Sequence, residues 1–120
     1  MTKRLRLCPL WAAGAGALLL VSFPATAAPR TFTVVIDKLK FGPLPAGLRK
    51  GDAIVWVNRD ILKHSATASD HSFDADLPAG AKVRTVIRHG GAIAFVCRYH
   101  PGMRGTLQVK CRKPPSTMPH

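Results

Sequence analysis

Phe95-Val96-Cys97-Arg98-Tyr99-His100-Pro101-Gly102-Met103-Arg104-Gly105 carries an apolar, alternating segment into a tight turn. Alternation sets Ile93, Phe95 and Cys97 on one face and Ala94 and Val96 on the other, so an inward Cys97 ends a half-buried strand. Past the turn, residues 106–110 alternate again, with Leu107 and Val109 on the matching inward parity. Two such runs joined by a short loop read as consecutive antiparallel strands. Within seven residues the loop offers a thiolate, an imidazole and a thioether.

Outward from this hairpin, β-branched and aromatic runs at 31–36, 53–57, 82–88, 92–97 and 106–110 read as strands, with 62–67 a weaker one. In the run at 53–57, Ile54 and Trp56 share a face that Asn58 continues. Residues 42–47 and 77–80 read as irregular connections, and His89-Gly90-Gly91 as a hairpin turn. No segment after residue 27 has a helical period. Short strands at this spacing indicate an all-β sandwich or small barrel.

The first 27 residues stand apart. Lys3, Arg4 and Arg6 precede an apolar stretch from Leu10 to Phe23, and Ala25-Thr26-Ala27 follows as a small-x-small cleavage site. That is the pattern of a secretory signal peptide, and the stretch is short of the roughly 20 apolar residues a membrane span needs. Cys8 lies before the apolar core, which argues against a lipoprotein. The expected organisation is a signal peptide over 1–27, one domain over 28–112 and a disordered polar tail over 113–120, in a periplasmic protein. Fifteen of the eighteen Lys and Arg residues and all six acids lie beyond residue 27, a net charge of +9. An exported protein seldom meets nucleic acid, so the charge reads as steering toward an acidic protein partner or an anionic surface.

An oxidising compartment makes Cys97 and Cys111 a default disulfide pair. In an antiparallel hairpin, however, they fall at opposite ends, roughly 20 Å apart at about 3.3 Å per residue, whereas a disulfide needs Cα atoms within about 7 Å. Cys97 is thereby left for metal. Cys111, on the inward parity, is expected as a small buried hydrophobe or an unpaired thiol.

Cys97, His100 and Met103, joined by His64 from elsewhere, make a donor set suited to copper in both common oxidation states. Structural zinc sites do not use thioether, and a c-type haem would need Cys-x-x-Cys-His, which is absent. His71 reads as a surface residue, and His89 and His120 acquire no role.

Trp56-Val57-Asn58-Arg59-Asp60-x-x-x-His64 and Cys97-x-x-His100-Pro101-x-Met103-Arg104-Gly105 resemble the two ligand segments of the cupredoxins, the type 1 blue copper family. The short Cys-x-x-His-x-x-Met spacing is most similar to its amicyanin branch, and Lys50-Gly51-Asp52 fits the usual lead-in. The resemblance spans about residues 31–109. It implies a Greek-key β-sandwich holding one copper through His64, Cys97, His100 and an axial Met103. It further implies a non-enzymatic carrier of single electrons, with His100 as the exit and Pro43, Leu44, Pro45 and Pro101 as a docking rim. The implied partner is a dehydrogenase or a c-type cytochrome, to which the net charge adds an acidic docking surface. A monomer without stable membrane insertion is expected. A periplasmic copper carrier using the same ligands is the alternative. Ser65 stands where amicyanins usually have an Asn bracing the Cys loop, and it can form fewer hydrogen bonds.

Overall fold

The computed structural model describes residues 28–111, so the expected signal peptide and the tail over 113–120 lie outside the described residues. Nine strands follow in order: β1 Thr31–Asp37, β2 Lys40–Phe41, β3 Leu48–Arg49, β4 Ala53–Asn58, β5 His64–Ala68, β6 Asp74–Leu77, β7 Lys82–Val86, β8 Gly91–Val96 and β9 Arg104–Lys110. There is no helix among the described residues. The strands form two sheets, ordered β2-β1-β4-β7 and β3-β9-β8-β5-β6, as a β-sandwich.

β1 runs parallel to β4 and β3 parallel to β9, while the remaining pairs are antiparallel. The alternation that defines each strand decides which side chains enter the interior. Ile93, Phe95 and Cys97 are buried, as are Leu107 and Val109 across the pair and Ile54, Trp56 and Asn58 on β4. Inside, the Phe95 ring lies 4.8 Å from Phe41 and 5.2 Å from Trp56, and Trp56 lies 5.8 Å from Phe73. Burying each such ring stabilises by about 1.5–3 kcal/mol. Trp56 Nε1 donates to Thr85 Oγ1 at 2.9 Å, which satisfies its one polar atom in the core. The aromatic cluster floors the end of the sandwich where β8 delivers Cys97.

Three sequence expectations change. His89-Gly90-Gly91 is no hairpin turn: β7 pairs with β4 in one sheet, whereas β8 pairs with β9 and β5 in the other. The chain crosses between layers there, held by Ile87 N–H donating to the Asp52 carbonyl, with Gly91 at φ 99° permitting the turn. β6 was missed as a strand because acids are poor strand formers, although Asp74 and Asp76 alternate outward with buried Ala75 and Leu77. Cys111 is exposed rather than buried. It lies at the far end of the hairpin from Cys97, because the β8–β9 register runs from Val96 opposite Arg104 to Gly91 opposite Val109, and Cys97 is a free, buried cysteine.

The Gly51-Asp52 lead-in to β4 is a clamp. Asp52 accepts the backbone N–H groups of Arg30 and Arg49 and pairs with the Arg30 guanidinium at 3.0 Å. Burial pushes its carboxyl up, but those donors outweigh it and hold the group below the usual carboxylate range.

Candidate metal centre

His64 opens β5, Cys97 follows β8, and His100 sits in the loop to β9. Their donor atoms all lie within 4.8 Å of one another. Cys97 Sγ is 3.8 Å from His64 Nδ1 and 3.8 Å from His100 Nδ1. With metal–sulfur and metal–nitrogen bonds of about 2.3 and 2.0–2.1 Å, an ion lying in the donor plane would set sulfur and nitrogen roughly 3.8 Å apart. Both sulfur–nitrogen edges therefore fit one ion in trigonal coordination. His64 and Cys97 are fully buried and His100 is half-buried.

The loop closes through its own backbone. Cys97 N–H donates to the Met103 carbonyl at 2.9 Å, and Met103 N–H to the His100 carbonyl at 2.8 Å. Met103 is buried in this loop, two residues before Gly105.

His64 is set by the segment that precedes it. Asn58, buried at the end of β4, donates to the Leu62 and Leu77 carbonyls and accepts from Asp60 N–H. Asp60 is thereby aimed back at the ligand, its Oδ2 lying 2.7 Å from His64 Nε2. Its other bonds come from the backbone N–H groups of Lys38 and Leu39, at 2.7 and 2.9 Å. The Leu39 N–H, against some desolvation, together with His64 and the Lys38 N–H, holds the Asp60 carboxyl below its ordinary range. An ionised carboxylate only accepts, so His64 carries its proton on Nε2 and turns the Nδ1 lone pair toward Cys97. The two N–H bonds to Asp60 also hold Lys38 and Leu39 at φ of 51° and 60°. Asp60 belongs to the sequence segment already singled out, but its role was not legible there, since only the fold turns it toward His64.

Ser65 is buried; its N–H donates to Cys97 Sγ at 3.4 Å and its Oγ accepts from Arg98 N–H at 2.8 Å. The position where an Asn would brace the loop is thus still a brace. Arg98 pairs with Asp74, which offsets its charge beside the loop. His71 is exposed, as expected. Of the expected rim, Pro43 and Pro101 are exposed, whereas Leu44 is half-buried against the core. Among the described residues, the large apolar side chains that do face solvent are Ile61, at 92 % exposure, with Leu39, Leu62 and Tyr99.

No family model matches the chain, and no curated protein matches it. Solved structures do. A reduced amicyanin carrying a Trp-to-Tyr substitution superposes with a TM-score of 0.60 at 20% identity, covering 72% of this chain and 87% of that one. A Cu(I) amicyanin with a Met-to-Gln substitution gives 0.59 at 20%, covering 67% and 82%. A Cu(I) form with a Met-to-Ala substitution gives 0.57 at 24%, covering 72% and 88%. At these identities the likeness establishes the fold, and the fold of this chain is that of amicyanin.

Proposed function

We propose that this protein is a type 1 copper protein that carries single electrons between redox partners, and that it is exported to the periplasm by residues 1–27. The observation that carries the reading is the triad of one buried thiol and two imidazoles with 3.8 Å sulfur–nitrogen edges. Two His and one Cys in a plane, with a weak axial Met, form the set that accommodates both copper oxidation states. His64, Cys97 and His100 would hold the copper, with Met103 as a fourth, weaker donor. Copper supplies the one-electron couple. Everything else is the work of the chain: Asp60 fixes the tautomer of His64, the Ser65 N–H holds the thiolate, and the closed 97–103 loop limits rearrangement between the two states. His100, half-buried beside exposed Pro101, is the electron exit.

The site performs no bond-making chemistry, and we assign no enzymatic activity. The partner, a dehydrogenase or c-type cytochrome, docks against the apolar surface at this end. Ile61, Leu62, Leu39 and Tyr99 supply its apolar contacts, with Lys38, Lys40, Arg59 and Lys63 selecting an acidic rim. Among the described residues no helix is long and apolar enough to cross a membrane.

A copper carrier is the competing reading. Protein-film voltammetry of the copper-loaded mature protein separates them. An electron carrier gives one reversible one-electron wave with copper retained through repeated cycles. Binding of Cu(I) alone, with copper released on oxidation, would make it a carrier.

A further inference from the structure

Beside the ligands runs a closed circuit of hydrogen bonds that the proposed function does not call on. Arg98 N–H donates to Ser65 Oγ at 2.8 Å. Ser65 Oγ and Thr67 Oγ1 lie 3.0 Å apart, Thr67 Oγ1 donates to Asp74 Oδ1 at 2.8 Å, and Arg98 NH1 donates to Asp74 Oδ2 at 2.6 Å. Counting protons fixes the direction of every bond. A carboxylate only accepts, so the single Thr67 proton goes to Asp74. The Ser65 proton must then go to Thr67, which leaves the Ser65 oxygen lone pairs for Arg98 N–H.

The circuit lies where the sheet opens. β5 and β8 pair only at Thr67–Val96 and Ala68–Phe95. The same antiparallel register carried onward would set Ser65 opposite Arg98. Instead the strands part there, and the Cys97 sulfur lies within reach of Ser65 N–H. The Ser65 hydroxyl bridges the gap in place of a ladder bond, and Thr67, opposite Asp74 in the β5–β6 pair, ties that hydroxyl to the third strand.

We propose that Thr67 and Asp74 are positioning residues. Through Ser65 and the Arg98 backbone they hold the Cys97 loop in its ligand geometry before any metal arrives. They do the bracing that a single Asn at position 65 would otherwise do. The exposed Arg98–Asp74 ion pair alone contributes little. Its consequence comes from orienting the buried Ser65 hydroxyl, because a hydroxyl proton turned elsewhere would leave Arg98 N–H facing a donor. The inference rests on the copper reading only for its spectroscopic consequence.

The test compares wild type, Thr67→Val, Thr67→Ser and Asp74→Asn. Thr67→Val keeps the side-chain shape and removes the relay, Thr67→Ser keeps the relay, and Asp74→Asn works at an exposed position where folding is secure. In the metal-free protein, amide exchange at Arg98 should be at least tenfold faster in Thr67→Val and Asp74→Asn than in wild type or Thr67→Ser. Exchange at Leu107 in β9 should stay the same. In the copper-loaded protein, Thr67→Val should shift the thiolate-to-Cu(II) band, and Thr67→Ser should restore it. Unchanged Arg98 exchange in both relay-breaking variants overturns the proposal. So does faster exchange with no shift in the band. A wild type that shows no such band with Cu(II), yet keeps the exchange pattern, defeats the copper reading and upholds the brace.

Discussion

Gly105→Ala isolates how the core presents the ligand loop. Gly105 stands directly opposite Phe95 across the β8–β9 pair. A Cβ at this position would meet Phe95 Cζ at 2.7 Å, Phe95 Cε1 at 3.0 Å and Leu44 Cδ1 at 3.2 Å. Carbon atoms in contact sit about 3.5–4.0 Å apart, so the ring would have to retreat by roughly 0.8 Å. It has little room to do so: Phe95 is 1% exposed, and Phe41 and Trp56 press its other sides at 4.8 and 5.2 Å between ring centroids. Overpacking of this kind costs about 1–3 kcal/mol. In a domain of this length each kcal/mol lowers Tm by about 4–8 °C, so a loss near 2 kcal/mol means roughly 10 °C. Thermal unfolding of the metal-free protein, followed by circular dichroism, measures it. Adding Phe95→Leu should cost less in the Gly105→Ala background than alone, because the smaller side chain relieves the clash. An unchanged Tm for Gly105→Ala, or strictly additive effects in the cycle, would refute the packing argument.

Two further outcomes follow from the carboxylates. Asp60→Asn replaces one acceptor oxygen by an NH2 group while three N–H donors still point at the side chain. Copper affinity, measured by chelator competition, should fall by about 10–100-fold; unchanged affinity would show that Asp60 does not orient His64. Asp52, Asp60 and Asp76 all have depressed carboxyls when folded, the last chiefly through the Tyr99 hydroxyl, with desolvation opposing and Lys63 assisting. A folded value below the unfolded one means their contribution is present above the ordinary carboxylate range, about pH 3.9, and is lost as pH falls through the depressed values. The urea midpoint of the metal-free protein should accordingly drop below about pH 4, and a midpoint that rises there contradicts the assignment.

Local pattern made the ligand hairpin legible. Period-two alternation places Ile93, Phe95 and Cys97 on one face whatever the rest of the fold does, and the short turn keeps His100 and Met103 near. β2 and β3 have two residues each, too few for any alternation, and exist because longer neighbours offer an edge. The crossing at His89-Gly90-Gly91 was hidden for another reason: a glycine turn looks alike whether it joins neighbours in one sheet or leads to the other layer. The partners of His64 and Ser65 lay further from view. Asp60 and Arg98 are prominent in sequence as charges, but their bonds depend on two loops and three strands meeting at one end.

An electron-carrying copper site requires Cys97, His64 and His100 to close on one copper ion. One equivalent of Cu(II) added to the mature protein should produce an intense visible thiolate-to-Cu(II) charge-transfer band with a narrow copper hyperfine splitting. The band should saturate at one copper per chain and be missing in Cys97→Ser, which should still fold. A colourless Cu(II) complex, or a band that survives the loss of Cys97, would contradict it.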